Sequence, residues 1–207
     1  MPTRNVGIVI FDDVEVLDFS GPFEVFSIAN AVVLQAGDRP FNVFLVAQEQ
    51  RPYLASGGLP GLGYRVLPDY TLETAPHLDV LVAPGGAGTR VEDTNETLLD
   101  WLRATVPSTE VAASVCTGAF LLAAAGVLNQ RRATTHVRQI DRFRETFPRV
   151  EVVEGVRWVE DGNLISSAGV SAGIDLALHV VSRLLGPEIA GRTARSMQYQ
   201  GSWDSSS

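Results

Sequence analysis

The chain of 207 residues contains one cysteine, Cys116, and its reactive chemistry centres there. Cys116 lies in Glu110-Val111-Ala112-Ala113-Ser114-Val115-Cys116-Thr117-Gly118-Ala119-Phe120-Leu121-Leu122, an apolar, β-prone run followed by small residues and then helix formers. That order places the thiol where a buried strand ends and a helix begins. Free N–H groups and partial positive charge at a helix start favour a thiolate. The G-x-S-x-G elbow uses the same geometry for a serine, although Ser114 to Gly118 does not match that motif as written. The alternative for Cys116 is a buried thiol acting as a small hydrophobe.

Four further positions could work with the thiol. Asp18 precedes Gly21-Pro22. It is either a turn or cap residue, or a carboxyl whose pKa burial beside a thiolate would raise, letting it act as an acid near neutral pH. Gly85 and Gly86 follow an apolar run and read as turn residues. Glycines there also let backbone N–H groups approach a substrate atom. His136 is an accessory candidate, either a base for Cys116 or a loop residue. His77 and His179 read as structural, and Arg131-Arg132 as a solvated pair. Three scattered histidines and no Cys/His cluster argue against a built metal site.

These residues need a frame to hold them. Val6-Gly7-Ile8-Val9-Ile10-Phe11, Phe41 to Ala47, Leu78 to Ala83 and Val111 to Val115 read as strands buried on both faces. A loop from Val14 is expected to lead to a helix over Phe23 to about Leu34, with Pro22 in its first turn and Gly37-Asp38-Arg39-Pro40 stopping it. Thr94 or Asn95 caps a helix running to about Thr105. Gly126 ends the helix after Cys116, and a further helix spans Arg138 to Thr146. Val156 to Glu160 and Leu164 to Ser167 form a hairpin around Asp161-Gly162-Asn163. Helices at Ile174 to Leu185 and Glu188 to about Gln198 complete the chain.

Strands alternating with helices imply an α/β fold, doubly wound, with a mostly parallel sheet and helices on both faces. Ligands in such sheets bind beyond the carboxyl ends of the strands, where the Asp18 loop, the Gly85-Gly86 turn and Cys116 gather. One domain over residues 1–207 is expected, with 199–207 as a flexible tail apart from Trp203. The net charge of −8 argues against a nucleic-acid footprint, and no apolar run approaches a membrane span. A lone cysteine and a start without a signal peptide point to a cytoplasmic protein.

Five blocks carry a resemblance: Leu17-Asp18-Phe19-Ser20-Gly21-Pro22-Phe23-Glu24-Val25-Phe26, Ala83-Pro84-Gly85-Gly86, Ser114 to Ala123, Arg132-Ala133-Thr134-Thr135-His136, and Gly169-Val170-Ser171-Ala172-Gly173-Ile174-Asp175. Together they resemble the PfpI/ThiJ superfamily, which has the class I glutamine-amidotransferase-like fold. Within it the chain looks most like isocyanide hydratases and the ligand-sensing half of AraC-type regulators. The resemblance implies a flavodoxin-like sandwich, usually a homodimer. It implies Cys116 as a strained nucleophile, Asp18 as its carboxyl partner, and an oxyanion site built from the N–H groups of Gly86 and Thr117. PfpI-type proteases carry a histidine directly after the cysteine, where this chain has Thr117, which points away from peptidase activity. The Thr-Thr-His block usually continues with Trp, where this chain has Val137.

The resulting expectation is a cysteine-dependent hydratase acting on a small electrophile such as an isocyanide, needing no metal or organic cofactor. A non-catalytic sensor and a cofactor-free glyoxalase-like activity are the alternatives. A sensor would be a stand-alone relative, since no basic recognition segment follows. Oxidation of Cys116 to a sulfinate is also open to an exposed, acidic thiol. Specificity is expected from Val14, Val16, Phe19, Val137 and Trp158.

Overall fold

A computed structural model describes residues 2–34 and 39–204. Gly37 and Asp38 of the expected helix stop, and 205–207 of the expected tail, lie outside the described residues. In chain order the elements are β1 (Arg4–Val9), β2 (Val14–Glu15), α1 (Val16–Leu34), β3 (Phe41–Ala47), β4 (Tyr53–Ser56), β5 (Gly63–Val66), β6 (Tyr70–Thr71), β7 (Val80–Ala83), α2 (Thr89–Glu92) and α3 (Glu96–Thr105). They continue with β8 (Val111–Val115), α4 (Gly118–Ala124), β9 (Arg132–Ala133), α5 (Ile140–Thr146), β10 (Glu151–Val152), β11 (Trp158–Asp161), β12 (Leu164–Ser167), α6 (Ala172–Leu185) and α7 (Pro187–Ser196).

The central sheet has the order β11-β12-β8-β7-β1-β3-β6. Every neighbouring pair in it is parallel except β11 with β12, the hairpin read around Gly162. The middle strands β7 and β8 are buried at every position, as their unbroken apolar runs require of a sheet covered on both faces. Helices flank the sheet in two groups: α1, α6 and α7 pack together, and α2 and α3 pack on α4. This is the expected doubly wound α/β arrangement. A small sheet of β2, β4 and β5 stands beside the carboxyl ends of the strands.

The entry to α1 differs from expectation. The stretch expected to be a loop forms β2 and the first two turns of α1, so Pro22 lies inside the helix. A proline there removes one helical hydrogen bond and costs about 3 kcal/mol. Burial outweighs that loss: Phe19, Pro22, Val25, Phe26 and Ala29 all leave solvent on the helix's inner side. Gly21 gives α6 room for its approach, since a Cβ there would lie 3.2 Å from Ile174 Cγ1. The Ser20 hydroxyl takes up the Val16 carbonyl at 2.6 Å.

With 19 residues and a mean hydropathy of 1.3, α1 is long and apolar enough to cross a membrane, against the expectation that no run approaches that length. Its buried side and its packing on α6, α7 and β3 account for that composition. Two smaller differences follow from local geometry. The Arg138–Thr146 helix begins as a tight turn over Val137–Gln139 and becomes α-helical only at Ile140. Asn95 precedes α3 as read, but its side chain bonds Gln48 and Glu92 instead of capping the helix. At the far end, Ser202 N donates to Asp175 at 2.8 Å, and Trp158 Nε1 donates to the Ser202 carbonyl at 3.2 Å.

Candidate active site

Cys116 follows directly on β8 and precedes α4, as the residue order predicts. Its φ is +57°, a left-handed conformation that a residue with a Cβ rarely adopts. The surrounding structure holds it there. Cys116 N donates to the Ser167 carbonyl of β12 at 3.1 Å, and the Thr135 hydroxyl donates to the Cys116 carbonyl at 2.8 Å. The small residues of the elbow are needed for space. A Cβ on Gly118 would lie 1.9 Å from the Ala83 carbonyl oxygen of β7.

Asp18, in the first turn of α1, and the Gly85-Gly86 turn beyond β7 reach the same point. Asp18 is fully buried, and its Oδ2 accepts the Gly85 N–H at 3.1 Å. Its Oδ1 has no hydrogen-bond partner of good geometry. A Cβ on Gly85 would lie 2.6 Å from Thr117 N and Oγ1 and 2.8 Å from Asp18 Oδ2, so only glycine fits between the two. Gly86 has φ +130° and pairs with Val14 of β2.

The electrostatics correct one expectation. Cys116 is only 7% exposed, and burial pushes its thiol well up from the ordinary range. The nearby Asp18 charge adds to that rise, while the Thr117 N–H and hydroxyl oppose it. Burial and the Asp18 charge thus oppose the thiolate that the helix position was expected to favour. Cys116 sits ahead of a helix of only two turns, and desolvation beside a carboxylate outweighs the favourable peptide dipoles. Burial also raises Asp18 to about 7, with the nearby Cys116 thiol and the Gly85 N–H opposing the rise and Glu15 adding slightly to it. The two groups are close enough for each to shift the other's titration. The two form a buried acid–thiol pair in which each group disfavours the other's ionisation.

The remaining candidates fall in place around this pair. Gly86 N–H donates to Thr117 Oγ1 at 3.0 Å, and Thr89 Oγ1 reaches the same oxygen at 3.1 Å. The Gly86 donor is thus aimed at the Thr117 hydroxyl. His136 lies beside the thiol: a Cβ on Gly169 would lie 2.4 Å from His136 Cδ2 and 2.8 Å from Cys116 Sγ. His136 Nδ1 accepts the Arg138 N–H at 3.1 Å. Burial and the Arg138 charge hold the imidazole below its ordinary pKa, so it is neutral, with Nε2 left as the donor.

Cys116, Thr117, Gly86 and His136 open onto a cavity of about 440 Å³. Its other walls are not the expected apolar ones. Val14 and Phe19 are buried in the core, and Val137 is 76% exposed. None of the five expected specificity residues lines the cavity. Trp158 stacks on His179, with ring centroids 3.9 Å apart. The early start of α1 explains part of this, because it turns Phe19 onto the helix's packing side. The walls are instead Glu15, Arg90, Arg138, Arg142 and Val170, with Gly58 and Pro60 from the β4–β5 turn. Sequence reasoning missed the arginines, Thr89 and Gly169. Only Gly169 carried a signal, as the first residue of the Gly169–Asp175 block.

A profile of the DJ-1/PfpI family matches residues 4–183, and the chain belongs to that family. It is 34% identical over 195 residues to the isonitrile hydratase of Pseudomonas putida, covering 94% of this chain and 78% of the relative. It is 25% identical over 197 residues to the HTH-type transcriptional regulator GbdR of Pseudomonas aeruginosa, covering 95% of this chain and 51% of the regulator. The chain therefore spans about half the length of that regulator. Among solved structures, a ThiJ/PfpI family protein from Pseudomonas syringae superposes with a TM-score of 0.84 at 27% identity, covering 97% of this chain and 77% of the other.

Proposed function

We propose that this chain is a cysteine-dependent hydratase that converts an isocyanide to an N-substituted formamide. The observation that carries this reading is the buried Asp18–Cys116 pair, whose cysteine lines the cavity. The similarity to an isonitrile hydratase supports the choice of electrophile.

An isocyanide, R–N≡C, needs a nucleophile and a proton at the same terminal carbon. A thiol and a carboxyl that hold one exchangeable proton between them supply both. As Cys116 sulfur bonds the carbon, the thiol proton passes by way of Asp18 to that carbon, giving the thioimidate R–N=CH–S–Cys. Asp18, now a carboxylate, takes a proton from water as the water oxygen adds to the thioimidate carbon. Asp18 passes that proton on to the adduct nitrogen; as the C–S bond then breaks, the adduct hydroxyl loses its proton by way of Asp18 to the departing sulfur, releasing R–NH–CHO and returning the thiol. Substrate and water sum to product, and the enzyme is regenerated. The high thiol pKa suits this sequence, because thiolate need form only in step with proton delivery. The Thr117 N–H and hydroxyl would steady the sulfur, and the neutral His136 would donate from Nε2 to the imidate nitrogen.

The test is turnover of 4-methoxyphenyl isocyanide by wild type and by Cys116→Ser. Formamide formation should fall by roughly a thousandfold or more in the variant. Turnover by the variant at the wild-type rate would sink the mechanism. A second reading, a small-molecule sensor, is favoured by the similarity to a transcriptional regulator along nearly the whole chain. It requires ligand binding without turnover, at an affinity that Cys116→Ala leaves unchanged.

A further inference from the structure

We propose that the physiological substrate is an anion: a small isocyanide bearing a carboxylate, which Arg90 and Arg138 hold while the reacting carbon reaches Cys116. This inference rests on the hydratase reading for the reacting group, and on the cavity walls for the anion.

All sixteen basic residues of the chain are arginines. Many are matched to carboxylates, as in Arg4–Glu110, Arg51–Asp12, Arg131–Asp161 and Arg157–Asp175. Arg90 and Arg138 have no such partner among the described residues, and both line the cavity that contains Cys116. Arg142 joins them as a fixed part of the wall. It is held by Asp93 at 3.4 Å and lies over the Phe120 ring at 4.8 Å.

The charged groups facing this space are three guanidiniums, the Glu15 carboxylate and the Asp18–Cys116 pair, while His136 is neutral. Glu15 is partly engaged, accepting the Gly58 N–H at 3.0 Å. Arg142 is matched by Asp93, so Arg90 and Arg138 are the unmatched cations at this mouth, set against Glu15 and the Asp18 carboxyl behind Cys116, and an anion would be drawn to these two guanidiniums. Planar guanidinium groups match a carboxylate with two parallel hydrogen bonds, which fixes orientation as well as affinity. The two free arginines come from different elements. Arg90 belongs to α2, and Arg138 to the turn after His136. An anion bridging them would be gripped from two walls, with its other end directed to the sulfur.

The test compares 4-isocyanobenzoate with its methyl ester, using wild type, Arg138→Gln and the double variant Arg90→Gln/Arg138→Gln. The readout is the ratio of the two kcat/KM values. Wild type should favour the carboxylate by roughly tenfold or more, the magnitude expected of hydrogen bonds to a charged group. The double variant should bring the ratio close to one, and raised salt should lower it in wild type only. Equal kcat/KM values in wild type would overturn the proposal. So would a preference that survives in the double variant. A phosphonate analogue outperforming the carboxylate would also overturn the choice of anion.

If wild type turns over neither compound, the hydratase reading fails by itself. Calorimetric binding of 4-formamidobenzoate against formanilide then decides the anion. Tighter binding of the former that is lost in the double variant supports the arginine site, and equal binding overturns it.

Discussion

Asp18 and Asp175 are both completely withdrawn from solvent, and each stands in the first turn of a long helix, α1 and α6. The helix position favours a negative charge equally in the two cases. What separates them is the company they keep. Asp175 accepts from the Arg157 guanidinium and from Ser202 N, the latter at 2.8 Å. It closes the end of the chain onto α6, and the phenol of Tyr199, raised first by burial, is raised further by its charge. Asp18 receives one N–H, from Gly85, and no cation, and it faces a thiol. A buried carboxylate given a guanidinium has its counter-charge beside it. One denied it keeps a proton that can be exchanged near neutral pH. The same residue type, equally buried, is structural in one place and poised for proton transfer in the other.

The widest break in this comparison is Asp18→Asn. Losing the proton carrier should reduce turnover by roughly 10²–10⁴-fold. Its effect on stability should run the opposite way. The folded-state pKa of Asp18, about 7, lies above the ordinary 3.8, so the native protein binds this proton more tightly than the unfolded chain does. The stabilisation is complete below pH 4 and is lost as pH rises through 7, a swing on the order of 4 kcal/mol. Asparagine carries no charge and still offers Gly85 N–H an acceptor. At pH 8 the variant should therefore melt above wild type, and the difference should vanish towards pH 4. An unchanged or lower melting temperature at pH 8 would mean that the buried carboxylate imposes no penalty. The difference drawn between the two aspartates would then collapse.

Asp175→Asn should instead lower stability and leave turnover nearly unchanged. Arg157 is 41% exposed and can recover water, so the loss should be about 2 kcal/mol, less than for a fully buried pair. Urea unfolding at pH 7 measures it. Turnover per folded molecule should stay within about twofold, because proton transfer at Cys116 does not involve this clasp.

How much of this was legible follows from how local each cause is. The Cys116 elbow could be read from composition, since an apolar β run, a small-residue step and a helix-forming run leave one place for the thiol. Asp18 as its partner follows from the expected sheet, whose strand ends gather the two loops, and the family resemblance strengthens it; nothing in spacing alone ties residue 18 to residue 116. The start of α1 was misread because Gly21-Pro22 is a breaker by local rules, and burial of Phe19, Val25 and Phe26 overrides those rules. The burial that opposes the Cys116 thiolate is not legible in the sequence, because helix dipoles are visible there and desolvation is not. The arginine walls come from residues 90, 138 and 142, which only the sheet order brings to one cavity.

The smallest effect tests whether the elbow is held from outside. The Thr135 hydroxyl donates to the Cys116 carbonyl at 2.8 Å, and Thr135 itself is 1% exposed. Thr135→Val keeps the shape and removes that donor. It should destabilise the protein by about 1 kcal/mol. A left-handed residue relaxes when its restraints weaken, so the sulfur should move relative to Asp18 and the carboxyl should be less constrained by it. Turnover should fall about threefold to tenfold, through kcat rather than KM, as expected for a misaligned reacting pair. Thr135→Ser retains the donor and should restore most of the rate. A full rate in Thr135→Val would show that β8 and Ser167 alone fix the elbow. The contrast with Asp175 would then be one of charge partners only, with no contribution from backbone restraint.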